Sequence, residues 1–285
     1  MRTIEANGCS IAYTQRGSGA PLILIHGAEA DHAMFDAFGG LLADSFTVIA
    51  YDQRDSGATR NPATPYGLGE MADDAAALIV GLGHERAHVF GTSLGGAIAQ
   101  VLAARHPQHV DRLVLSSTFR AGVPPLSINP DVFPRLAALR AGLPGTAAEI
   151  ATYFFPAGHI AAHPEVVEIF TGSSRDAGQK QRRAAILAQP VDSNLAAITA
   201  PTLVLAGAED RLIPPAHTLS LAQEIAGART ASLAGLGHVG TLQDPHAVAR
   251  EVRAFLLAGG ADETTTTTGG NHHDHAGGRS RRVVR

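Results

Sequence analysis

The apolar positions of this chain recur with two periods, and the period switches at regular intervals as far as about residue 118. Residues 3–6 and 10–15 alternate around the turn pair Asn7-Gly8, which predicts two paired strands. Residues 21–25, PLILI, form an unbroken apolar run, as expected of a strand covered on both faces of a sheet. Residues 32–43 then take helical spacing through Met34, Phe35, Phe38, Leu41 and Leu42. The alternation continues with a strand over 46–51, a helix over 68–82, a short strand over 87–90, a helix over 94–105 and a strand over 113–116. Strands separated by crossing helices predict an α/β architecture, with a mostly parallel central sheet and helices on both faces.

The rhythm breaks between residues 119 and 199. Eight prolines punctuate that stretch, which has no strand pattern and divides into about four short helices. A helical insertion between two strands suits a lid over a site at the sheet edge. Strands over 201–206 and 229–233 and helices over 215–226 and 245–257 restore the alternation. Residues 1–118 and 200–258 are therefore assigned to one core and 119–199 to a helical cap. Residues 259–285 lack any apolar face and are expected to be a disordered tail. His272, His273 and His275 flank Asp274 there, but a solvated low-complexity tail accounts for them, and no metal site is expected.

One stretch carries chemistry. Gly91-Thr92-Ser93-Leu94-Gly95 has the spacing G-x-S-x-G and stands between a predicted strand and a predicted helix. A sharp turn at that junction strains the serine and lifts its hydroxyl above the sheet. Serine is a poor nucleophile at neutral pH and needs a base. Of 14 histidines, His238 is the candidate, because its loop GLGHVG (235–240) follows the 229–233 strand and shares a sheet edge with Ser93. His84, His88, His106 and His109 fall at helix ends or strand starts and read as surface or capping residues.

The base needs a carboxylate to fix its tautomer. Asp210, just after the 201–206 strand, is the candidate; Glu209 is the neighbouring alternative, turned away if strand alternation persists, and no acid ends the 113–116 strand. An oxyanion needs two N–H donors. Leu94, next to the nucleophile, supplies one, and Ala28, in the His26-Gly27-Ala28-Glu29 loop after the 21–25 strand, the other. His26 itself is read as structural.

Five segments in this order, LILIHG (22–27), YDQRDSGAT (51–59), GTSLGG (91–96), GAEDRLIPP (207–215) and GLGHVG (235–240), resemble the α/β-hydrolase superfamily. The resemblance runs from about residue 1 to 257. It implies an α/β-hydrolase fold, with the helical cap inserted after the sixth strand and the order Ser93, Asp210, His238 as the catalytic triad. It also implies that Arg54 ties loops together beside the site. Residues 65–71, PYGLGEM, look like bacterial carboxylic ester hydrolases of the aclacinomycin methylesterase type. The serine at position 93 departs from haloalkane dehalogenases and epoxide hydrolases, which have an aspartate nucleophile. Val239 departs from the tryptophan that meta-cleavage C–C hydrolases usually have after the histidine. Ala28 replaces the aromatic residue common in haloperoxidase-like perhydrolases.

Composition narrows the partners. No apolar run approaches the ~20 residues of a membrane span, the first residues lack a secretory pattern, and Cys9 is the single cysteine. These features predict a cytoplasmic protein away from membranes. A net charge of −4 without a basic stripe speaks against nucleic acid. The expected activity is hydrolysis of a small-molecule carboxylic ester or lactone, largely apolar in view of Val132, Phe133, Leu136, Leu139, Phe154, Phe155, Ile169 and Phe170 in the cap. The reaction proceeds through an acyl-enzyme and needs no cofactor. C–C hydrolysis of a β-diketone or ring-cleavage product, acyl transfer, and a non-catalytic small-ligand receptor on the same fold are the alternatives. A homodimer is left open.

Overall fold

The strict alternation of side chains along the central strands divides the hydrophobic core in two, one half on each face of the sheet. Ile23, Ile25, Ile49, Val89, Leu113, Leu115 and Val204 point to one face. Leu22, Leu24, Val48, Phe90, Val114, Leu203 and Leu205 point to the other. The computed structural model describes residues 1–258 apart from residues 173 and 192. The tail expected over 259–285, with its three histidines, lies outside the described residues.

The strands are β1 (Arg2–Ala6), β2 (Cys9–Arg16), β3 (Ala20–Ile25), β4 (Phe46–Tyr51), β5 (Ala87–Thr92), β6 (Val110–Ser116), β7 (Thr202–Gly207) and β8 (Arg229–Leu233). They form one sheet in the order β1-β2-β4-β3-β5-β6-β7-β8. β2 runs antiparallel to β1 and to β4; every other neighbouring pair is parallel. Helices α1 (Asp36–Leu42), α2 (Leu68–Gly81) and α3 (Leu94–Arg105) follow β3, β4 and β5. This is the α/β-hydrolase fold expected from the sequence. α2 and α3 cover one face, and α1 covers the other together with the final helix, Pro245–Leu257. There Phe90 packs against Phe35 and Phe38, with ring centroids 5.9 and 4.9 Å away.

Between β6 and β7 the described residues contain five α-helices: α4 (Pro125–Ile128), α5 (Val132–Ala141), α6 (Ala147–Phe154), α7 (Ala157–Ala162) and α8 (Ala177–Ala185). The expectation was about four. Short 3-10 turns at Pro164–Phe170, Ile186–Ala188 and Leu195–Ala197 fill the gaps. After β7 come α9 (Pro215–Ser220), α10 (Gly240–Gln243) and α11 (Pro245–Leu257). α9 is shorter than its apolar pattern predicts, because residues 221–223 tighten into a 3-10 turn. Among the described residues no helix is long and apolar enough to cross a membrane.

Candidate active site

Ser93 joins β5 to α3 with φ +54° and ψ −122°, a conformation that costs a non-glycine residue free energy. Neighbouring groups hold it there. Its N–H donates to Ser116 O at 3.0 Å, and its carbonyl accepts from Thr118 Oγ1 at 2.6 Å and from the Gly96 N–H at 2.9 Å. A Cβ on Gly95 would stand 2.0 Å from Ile25 O, so only glycine lets α3 start against the end of β3. The serine is left half-buried at the N-terminus of α3. Among the described residues its hydroxyl makes no hydrogen bond.

His238 lies in the loop between β8 and α10, at the same C-terminal edge of the parallel strands. Its Nδ1 is 2.8 Å from Asp210 Oδ2, and both side chains are buried. Asp210 Oδ1 accepts from the N–H groups of Leu212 and Ile213, each at 2.9 Å. The carboxylate therefore caps the turn after β7 and orients the imidazole as well. With a carboxylate as acceptor, Nδ1 carries the proton and Nε2 presents its lone pair. Glu209 is exposed. The physical reason is the turn and not strand alternation: β7 ends at Gly207, and the Glu209 N–H is tied to Leu236 O at 2.8 Å. No hydrogen bond joins Ser93 Oγ to His238 among the described residues; such bonds often tighten only once substrate is present.

The loop after β3 stands against Ser93, because a Cβ on Gly27 would lie 3.6 Å from Ser93 Cβ. The amides of Ala28 and Leu94 donate no hydrogen bond within the chain among the described residues, which leaves two N–H groups for an oxyanion. His26 is fully buried. Its Nδ1 donates to Gly27 O at 2.7 Å, and its Nε2 accepts the Gln53 N–H at 3.2 Å. Burial, reinforced by the charge of Arg183, keeps its pKa well below the ordinary histidine value.

The insertion reaches the site at several points. The His238 N–H donates to Phe154 O at 2.9 Å, and the Phe154 ring meets the imidazole edge to face at 5.4 Å. Asn129 Nδ2 donates to Arg211 O and Leu212 O, at 3.0 and 3.2 Å. Arg183 of α8 is buried and donates to Gln53 Oε1, Arg54 O and Ala28 O, at 3.1, 3.1 and 2.6 Å. Arg182 forms a two-pronged ion pair with Asp55 (2.8 Å for each bond), and Arg175 reaches Glu29 at 2.7 Å.

Sequence reasoning missed Gln53, Arg182 and Arg183. Gln53 lies inside the YDQRDSGAT segment and could have been found there. The arginines sit in a polar helix without a motif.

Arg54 behaves as the resemblance implies. It makes a buried two-pronged pair with Asp74, at 2.6 and 2.8 Å, and fastens the loop after β4 to α2. His88 departs from the surface role expected of it. It is buried in β5, with its ring edge to face on Phe46 at 5.7 Å. The one group of described residues with metal-like spacing is Asp31, His32 and Asp52. Its ligand atoms are already engaged: Asp52 binds the His32 ring and two backbone N–H groups, and Asp31 caps the following turn. A loop tie explains them.

Residues 20–245 match the family model described as the alpha/beta hydrolase fold. The chain belongs to that family. Among curated relatives, the AB hydrolase superfamily protein YisY of Bacillus subtilis is 32% identical over 233 residues, which span 78% of this chain and 86% of that protein. The 2-hydroxymuconate semialdehyde hydrolase of Pseudomonas putida is 30% identical over 271 residues, 90% of this chain and 93% of that one. Among solved structures, the enol-lactonase from Burkholderia xenovorans LB400 superposes with a TM-score of 0.77 at 28% identity, covering 90% of this chain and 100% of that one. With named hydrolases among its relatives, this member of the alpha/beta hydrolase family is a hydrolase.

Proposed function

We propose that the protein is a serine hydrolase of carboxylic esters or lactones. The observation that carries this reading is the buried His238–Asp210 pair, set at the same sheet edge as the strained Ser93. Ser93 Oγ attacks the carbonyl carbon while His238 Nε2 takes its proton. Asp210 holds the imidazole in the tautomer that can accept that proton and stabilises the imidazolium. The Ala28 and Leu94 amides receive the oxyanion of the tetrahedral intermediate. Collapse expels the alcohol, protonated by His238, and leaves an acyl-serine that water cleaves by the same steps. Phe154, edge to face on the His238 ring, and Phe170, its ring centroid 4.8 Å from that of Phe154, give the insertion side an apolar wall, which favours an apolar acyl or alcohol group. Residues 119–199 act as a cap that shapes this wall. The likeness to an enol-lactonase supports a cyclic or linear ester.

The likeness to a 2-hydroxymuconate semialdehyde hydrolase favours a second reading, hydrolysis of a C–C bond beside a ketone by the same groups. A panel of p-nitrophenyl esters, lactones and dienoic keto acids tests both, with product analysis in the presence of an added alcohol to register acyl transfer. Ester or lactone turnover is expected, and Ser93→Ala should lower it by about four orders of magnitude or more. Turnover that survives Ser93→Ala overturns the assignment, and turnover of the keto acids alone moves it to the second reading.

A further inference from the structure

We propose that Gln53 and Arg183 are positioning residues for the Ala28 amide, so that the helical insertion completes the oxyanion site it covers. This rests on the acyl-transfer reading above. The Ala28 N–H belongs to the Gly27–Ala28 peptide, whose carbonyl accepts from His26 Nδ1 at 2.7 Å. In a trans peptide the N–H points away from the C=O, so fixing Gly27 O also aims the Ala28 N–H. The His26 ring is itself held. Its Nε2 accepts the Gln53 N–H, and its carbonyl accepts Gln53 Nε2 at 2.6 Å. Gln53 Oε1 is anchored by Arg183 at 3.1 Å, and the other arm of that guanidinium donates to Ala28 O at 2.6 Å. The circuit is closed. The peptide planes on both sides of the Ala28 Cα are held, one through His26 and Gln53 and one by Arg183 directly.

Two further observations separate this circuit from ordinary packing. His26 accepts at Nε2 only while neutral, and its burial keeps it so. Arg183 is 9% exposed, and among the described residues no carboxylate lies in ion-pair range of it. Gln53 Oε1, Arg54 O and Ala28 O, to which it donates, are neutral oxygens on loops around the site. Burial brings its pKa down to about 10, which leaves it a cation at neutral pH. A buried cation with no carboxylate in ion-pair range is costly, and for stability alone an apolar residue of similar volume serves as well. Arg182, one residue earlier, pairs with Asp55 instead and makes no bond to residues 26–28.

The test uses the full chain with p-nitrophenyl butyrate, and with a serine-reactive phosphonate whose tetrahedral adduct places an oxygen in the same amide pair. Arg183→Met and Gln53→Met are each expected to lower kcat by about 10- to 100-fold, with KM within about threefold of wild type. Phosphonate labelling should slow in parallel. The double variant should lose little more than the worse single one, because both act through one amide. Arg183→Lys, which keeps a donor, should fall between. Arg135→Met, which breaks an exposed ion pair with Glu149 inside the insertion, should keep kcat within about threefold. Full kcat in either folded methionine variant, a loss confined to KM, or additive losses overturns the inference. If neither methionine variant folds, Arg183→Lys decides, and wild-type kcat there overturns it as well. Ester turnover that survives Ser93→Ala would instead sink the acyl-transfer reading.

Discussion

The loops at the sheet edge and the helical insertion above them are held by different kinds of bond. Ser93, Asp210 and His26 are fixed from strand ends, by backbone groups and by side chains whose neighbours in space lie on adjacent strands. The insertion is attached, besides the backbone bond from His238 N–H to Phe154 O, mainly by side chains that cross to distant loops. Arg175, Arg182 and Arg183 grip residues 28–56, and Asn129 grips the turn after Asp210. Ser93 and His238 are thus built into the core, while the insertion sets what surrounds them. Substitutions in the core should therefore act on activity, and those in the insertion on substrate affinity, except at Arg183, which reaches the loop of Ala28.

The strongest way to break this contrast is at the core. Asp210→Asn preserves size but inverts the hydrogen-bond demand at His238 Nδ1 and favours the wrong tautomer. A fall in kcat of about 10⁴-fold, with the fold intact by circular dichroism, is expected. A loss below tenfold would mean that the base is oriented by something else. Next in size is the pair of arginine clamps. Arg54→Met strips the buried Asp74 of its cation and should cost about 3–5 kcal/mol, lowering the thermal midpoint by about 10 °C. Arg182→Met loosens the insertion over Asp55 and should raise KM severalfold with a smaller change in the midpoint. If the two variants behaved alike, the division between core and insertion would fail.

The smallest effect is a pH dependence. Unfolded His26 titrates near the ordinary histidine value of about 6.5, whereas burial holds the folded ring well below it. The native state then binds fewer protons than the unfolded one as pH falls beneath that value, so stability is lost on acidification. Burial shifts His88 in the same direction. For Asp55 burial works upward, but the bonds from Arg182 and Tyr66 outweigh it and hold the carboxyl below its usual range, which adds a second loss near the unfolded aspartate value. Thermal midpoints measured from neutral pH down to about pH 5 should fall by several degrees. The slope should flatten in His26→Asn, and an unchanged slope would place the linkage elsewhere.

Much of the core was legible because its determinants are local. β3 is an apolar run between breakers, and α11 covers the 245–257 segment that its apolar spacing marks out. The elbow could be read from five residues because glycine is required where α3 meets the end of β3. Other parts were not legible. His88 looked like a surface residue because its burial comes from Phe46, on a strand two positions away in the sheet. The insertion was undercounted because its helices are short and its prolines mark turns without saying what lies between them.

From sequence alone came the alternating architecture, the place of the insertion and the residues that end at one sheet edge, because strand periodicity, turn chemistry and chain order are written in neighbouring positions. Tertiary structure set Asp210 against His238 and left Glu209 exposed, set Phe154 against His238, and joined Arg183 to both Gln53 and Ala28. These contacts depend on the path of the chain between remote segments, and no period or motif encodes the distance across which two side chains meet.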